Sequence, residues 1–151
     1  MRAILLALFL VPVAGLSQAT AQTEATPPAA ESSLPPPRDC AFGPYIIFFA
    51  PGGTHISEPA REILDNAIRS DRECVQTHRF TVVGHADRSG SAAINLALSG
   101  RRAAAVADYL AAHGVAREGI TIRGVGESRP LVQTRDGVSN AENRYVAVDF
   151  Q

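Results

Sequence analysis

From residue 45 onward, apolar positions alternate between short β-rich runs and longer stripes of helical period. Tyr45-Ile46-Ile47-Phe48-Phe49 is a continuous apolar run bounded by Pro44 and Pro51, which predicts a buried strand followed by a Pro51-Gly52-Gly53 turn. Ser57, Glu58 and Pro59 then give a helix start: a capping hydroxyl, an acid in the first turn, and a proline where no donor is needed. Ala60, Ile63, Leu64, Ala67 and Ile68 follow at i, i+3, i+4 spacing and form one apolar face.

Arg79 to His85 predicts the second strand. Gly90 interrupts the chain, and Ser91 is placed to cap a short helix running to about Leu98. Ser99 is placed to cap a further helix with Ala103, Val106, Ala107, Leu110 and Ala111 inside, closed by His113-Gly114. Ile120-Thr121-Ile122-Arg123 predicts a third strand, and residues 127–142 a polar loop. Residues 144–150 alternate, with Tyr145, Ala147 and Asp149 on one face and Val146, Val148 and Phe150 on the other. The order β-α-β-α-β-β predicts an α/β, two-layer sandwich: one mixed sheet with helices on one face.

The first 39 residues read differently. Met1-Arg2, the apolar run Ala3 to Leu16 and Ala19-Thr20-Ala21 fit a signal peptide over residues 1–21, leaving Gln22 as the new N-terminus. That run is shorter than the roughly 20 residues a membrane-spanning helix needs. No cysteine follows it where a lipid-anchor signal requires one. Residues 22–39 are rich in Pro, Ala, Ser and Thr, with Leu34 the only large apolar side chain, and predict a disordered tail before a domain over residues 40–151. Export places the protein in the periplasm, an oxidising compartment. There Cys40, before the first strand, and Cys74, after the first helix, meet in a disulfide if that helix returns antiparallel to the strand; two separate thiols are the alternative. Two cysteines without CxxC spacing do not make a metal site.

Net charge is −1, the 14 basic residues are all arginine, and none cluster into a run. Nucleic acid is therefore not an expected partner.

Candidate chemistry concentrates in GHADRSGSAAINLALSGRRA, residues 84–103. Asp87 follows the second strand directly, and Arg102 falls in the first turn of the helix expected to begin at Ser99. A carboxylate at that turn would meet free amides, the positive end of the dipole and a guanidinium. Asp87 would then accept from an ammonium, so the pair suits a zwitterion. Asn95 is placed to hydrogen-bond the ligand or the loop. The residues alone favour Asp87 and Arg102 pairing with each other, a contact typically under about 1 kcal/mol at a surface, and favour a structural role for His85.

Gly84-His85-x-Asp87, Gly90, Asn95, Leu98-Ser99, Arg102-Ala103, Val106 and Tyr109-Leu110 strongly resemble the signature of the OmpA-like C-terminal domain, the module also found in peptidoglycan-associated lipoproteins. Gly124-Val125-Gly126-Glu127 with Pro130 and Asn143-Arg144 resemble its later motifs, so the likeness covers about residues 45–150. The resemblance implies non-covalent binding of peptidoglycan through the diaminopimelate of its stem peptide, whose side chain ends in an ammonium and a carboxylate on one carbon. It implies that Asp87 takes the ammonium and Arg102 the carboxylate, with Asn95, Leu98 and His85 at the rim or in support. Ala50, Asn143 and Arg144 are further candidate contacts. Two positions depart from the family pattern: Ala50 stands where the family often has an acid, and Tyr145 where it has a second arginine. No cofactor, no metal and no catalysis are expected, and the cell envelope, including association with the outer membrane, is the expected setting.

Two other readings start from the same residues. One is a module that meets other envelope proteins. The other is a small hydrolase using His85 and Asp87 with a metal drawn from His55 or His78, although neither a nucleophile elbow nor an HExxH motif is present.

Overall fold

The computed structural model describes residues 43–151. The expected signal peptide and tail, and Cys40 of the expected Cys40–Cys74 disulfide, lie outside the described residues. Strand β1 (Tyr45–Phe48) leads to helix α1 (Glu58–Ser70), strand β2 (Phe80–Gly84), helix α2 (Ala92–Ala112), strand β3 (Ile120–Gly124) and strand β4 (Tyr145–Phe150). This is the predicted order. The sheet runs β1-β4-β2-β3, with β2 and β3 parallel and β4 antiparallel to both β1 and β2, so it is mixed as expected.

Register explains which side chains go inside. Ile47 pairs with Val146, and Val82 with Val148, so these four point to one face together with Phe80. That face meets Ala60, Leu64, Ala67 and Ile68 of α1 and Ala103, Val106 and Leu110 of α2 in one buried cluster. Val146 and Val148 are fully buried while Asp149 is exposed, so the alternation read in the last strand holds.

The helix expected to begin at Ser99 does not. Helix α2 runs unbroken from Ala92 to Ala112 and is capped at Ser91, whose hydroxyl accepts from the Ile94 amide at 3.4 Å. Ser99 is internal and fully buried: its Oγ donates to the Leu96 carbonyl at 2.8 Å and accepts from the Gly126 amide at 2.9 Å. The small Ser99-Gly100 pair serves close packing rather than a break. Gly84 and Gly124 are register partners on β2 and β3. A Cβ at Gly84 would lie 2.0 Å from the Ser99 carbonyl oxygen, and one at Gly124 would lie 2.6 Å from the Gly100 nitrogen. Glycine at both strand ends lets α2 lie against the sheet.

Helix α1 ends in a π-helical turn, Asp71–Val75, which contains Cys74 and closes with Gln76 at φ 55°. Asp71 is buried there and binds the His78 amide at 2.9 Å and its ring Nδ1 at 2.7 Å.

Candidate functional site

The site forms where the ends of β1 and β2 meet the loop that precedes β4. Arg102 projects from the interior of α2, not from its first turn, and is fully buried. The free amides of a helix start are therefore not available beside it. Its guanidinium is held by three backbone carbonyls instead. Nε donates to Gly53 at 2.9 Å, one terminal nitrogen to His85 at 3.0 Å and the other to Ala50 at 3.1 Å. It also lies 5.4 Å from the centre of the Phe49 ring, within cation–π range. Burial and the nearby Arg144 and Arg101 lower its pKa, and the Asp87 charge opposes them. Arginine stays charged regardless.

Asp87 is also buried, and its ion-pair partner among the described residues is Arg144 at 3.1 Å, not Arg102. The surface pairing of Asp87 with Arg102 that the residues alone allowed is not formed. One Asp87 oxygen accepts from the Ser89 hydroxyl at 2.7 Å. The other accepts from the Ser139 hydroxyl at 2.8 Å, the Asn140 amide at 3.1 Å and Arg144. Burial alone would raise its pKa; the hydrogen bonds from Ser89, Ser139, Arg144 and Asn140 outweigh it and hold the carboxyl at about 2. Asp87 is thus a fixed anion at any physiological pH.

Arg144 completes the cluster. Its Nε donates to the Phe49 carbonyl at 3.1 Å, and a terminal nitrogen also reaches Ser139 at 3.2 Å. The structure thus brings Asp87, Arg102, Arg144 and Ala50 together, one carboxylate beside two guanidiniums, with Ala50 contributing its carbonyl.

The other candidates serve the scaffold. Asn95 bonds the loop: its amide donates to Glu127 at 2.6 Å and to the Gly90 carbonyl at 3.3 Å. Asn143 is fully buried and clamps Val132, donating to its carbonyl at 2.7 Å and accepting from its amide at 2.8 Å. Leu98 is buried on α2, outside the main core cluster. His85 stacks on Tyr145, ring centres 4.0 Å apart and 8° from parallel. Burial lowers its pKa to about 4, against a hydrogen bond that the ring donates to the Arg129 backbone carbonyl, so the ring is neutral at pH 7. Its Nδ1 has no partner among the described residues. His78 is held by Asp71, and no three His, Cys, Asp or Glu side chains among the described residues are grouped to hold a metal ion.

Sequence reasoning missed Ser89, Ser139 and Asn140. Asp87-x-Ser89 is a local signal, a short polar side chain two residues on from an acid. Ser139 and Asn140 sit 52 and 53 residues away from Asp87, and no local pattern joins them.

A groove of about 510 Å³ adjoins the cluster, with Phe48, Phe49, Ala50, His55, Ser57 and Glu142 among its lining residues. Its wall at Phe49 and Ala50 carries the carbonyls that Arg144 and Arg102 hold.

The model of the OmpA family matches residues 48–144. Peptidoglycan-binding protein ArfA of Mycobacterium tuberculosis is 35% identical over 102 residues, covering 68% of this chain and 31% of ArfA. Peptidoglycan-associated lipoprotein of Legionella pneumophila is 37% identical over 88 residues, covering 56% of this chain and 50% of the lipoprotein. The matched part thus spans half or less of either relative. The crystal structure of the peptidoglycan-associated lipoprotein from Burkholderia pseudomallei shares the fold, with a TM-score of 0.64 at 23% identity over 71% of this chain and 90% of that one. With its glycine-packed α2, its mixed four-stranded sheet and a family match over most of the described residues, this chain belongs to the OmpA family.

Proposed function

We propose that this protein binds peptidoglycan non-covalently in the bacterial periplasm, through the zwitterionic end of diaminopimelate, and that it is a binding module rather than an enzyme. The observation that carries the reading is the juxtaposition of the buried Asp87 carboxylate with two buried guanidiniums. The ligand's ammonium would approach the Asp87 carboxylate on the side of Oδ1, which accepts from Ser89 through its hydroxyl at 2.7 Å and its amide at 3.4 Å, and its carboxylate would face Arg102. Arg102 spends three of its five N–H donors on backbone carbonyls and keeps two for an anion. Because Arg102 has no exposed surface here, the turn that carries Ala50 and Gly53 is the part of the wall that must yield on binding. Ala50, Pro51 and Gly52 are exposed, and Gly52 holds φ at 63°. The names of the ArfA and lipoprotein relatives support peptidoglycan as the polymer.

The test is co-sedimentation with diaminopimelate-containing sacculi. The protein should pellet with them, and Asp87→Asn should stay in the supernatant while keeping its circular dichroism spectrum. Pelleting of a folded Asp87→Asn variant at the wild-type level would remove Asp87 from the site.

A further inference from the structure

We infer that the groove beside the charged cluster is a saccharide subsite, which receives an amino sugar of the glycan strand while diaminopimelate occupies the Asp87–Arg102 site. This inference rests on the peptidoglycan reading above and adds to it a second class of contact, to the sugar rather than to the peptide.

The groove's chemistry differs from that of the cluster. Phe48 ends β1 with about half of its surface exposed, at 51%, and it is the only aromatic among the exposed large hydrophobics of the described residues. An open ring beside a concavity of about 510 Å³ offers a flat apolar platform in a space of ordinary ligand size. Around it stand the exposed side chains of Glu142, His55 and Ser57. Ser57 occupies the N-cap position of α1 without using its hydroxyl as a cap, so that hydroxyl remains available at the groove. A sugar ring needs this combination: an aromatic face for its C–H side, with a carboxylate, an imidazole and a hydroxyl for its equatorial hydroxyl and acetamido groups. Among the described residues no arginine lines the groove, so these side chains are not built for a second carboxylate.

Position argues for the same polymer. Ala50 lines the groove and its carbonyl holds Arg102; Phe49 lines it and its carbonyl holds Arg144. A ligand anchored at the cluster therefore emerges against this wall. In peptidoglycan the stem peptide that carries diaminopimelate is joined to an amino-sugar strand, which can lie along that path.

The experiment is calorimetric titration of the protein with two ligands: the diaminopimelate tripeptide alone, and the same tripeptide carrying its amino-sugar disaccharide. The disaccharide form should bind about tenfold tighter. Phe48→Ala and Glu142→Gln should each remove most of that gain and leave tripeptide affinity within about twofold, because both side chains are exposed and neither touches the charged cluster. Equal affinity for the two ligands in the wild type would overturn the inference, as would a gain that survives both substitutions. A variant that weakens both ligands alike would assign the groove to the peptide instead. Binding of neither ligand would overturn the peptidoglycan reading itself, and the subsite with it.

Discussion

Replacing Arg102 with lysine isolates what the planar guanidinium does for this fold. The charge stays, but one compact ammonium replaces a fork that reaches the carbonyls of Gly53, His85 and Ala50 at 2.9–3.1 Å. Those acceptors come from the β1–α1 turn and from the chain just after β2, so Arg102 ties together the two segments that frame the site. A lysine can satisfy one of them. Each hydrogen bond to a charged group is worth roughly 1.5–3 kcal/mol, and water can take over at Ala50, which is exposed. The net loss is then one such bond, about 2 kcal/mol. With an m-value near 2 kcal/mol/M for a domain of this size, the urea midpoint should fall by about 1 M at unchanged slope. Far-UV circular dichroism against urea reads this directly. A midpoint within about 0.3 M of wild type would refute the claim that the carbonyl clamp holds the site together.

Three further outcomes follow from the same geometry. Asp87 titrates near 2 in the fold against an ordinary value of 3.8, so it contributes about 2 kcal/mol of stability that is fully present above pH 4 and lost as pH falls towards 2. The stability gap between wild type and Asp87→Asn should therefore narrow over that window in pH-dependent denaturation, and a constant gap would contradict it. Gly84→Ala puts a methyl into the Ser99 carbonyl and should cost about 3 kcal/mol, measured by thermal unfolding. Asn143→Ala frees both backbone groups of Val132 and should cost about 2 kcal/mol, with faster hydrogen exchange across residues 127–142 and little change in β2.

Local chemistry made most of the fold legible. The β-rich runs, the Ser57-Glu58-Pro59 start and the alternation ending at Phe150 each became the element they predict, because each pattern is fixed by neighbours in sequence. Ser99-Gly100 failed for a reason that sequence does not display. Those small residues answer to Gly84 and Gly124 on the sheet, and a residue chosen for close approach looks the same as one chosen to break a helix. The site divided along the same line. Asp87, Arg102 and Arg144 stood out by type and motif, and the structure gathers them. What surrounds them came from far along the chain: Ser139 and Asn140 out of a loop that read only as polar, and carbonyls of Ala50 and Gly53 that no side-chain pattern reports. Asn95 and Asn143 looked like contacts because they are polar beside a binding motif, yet each is spent on holding residues 127–142 in place.

The proposed joint action of Asp87 and Arg102 on a zwitterion can be probed with a single pair of ligands. Calorimetry should set a stem tripeptide ending in diaminopimelate against the same tripeptide ending in lysine, which keeps the ammonium and lacks the carboxylate on that carbon. The diaminopimelate peptide should bind at least about tenfold tighter, the value of one charge-assisted contact to a guanidinium. Equal affinity for the two peptides would contradict it.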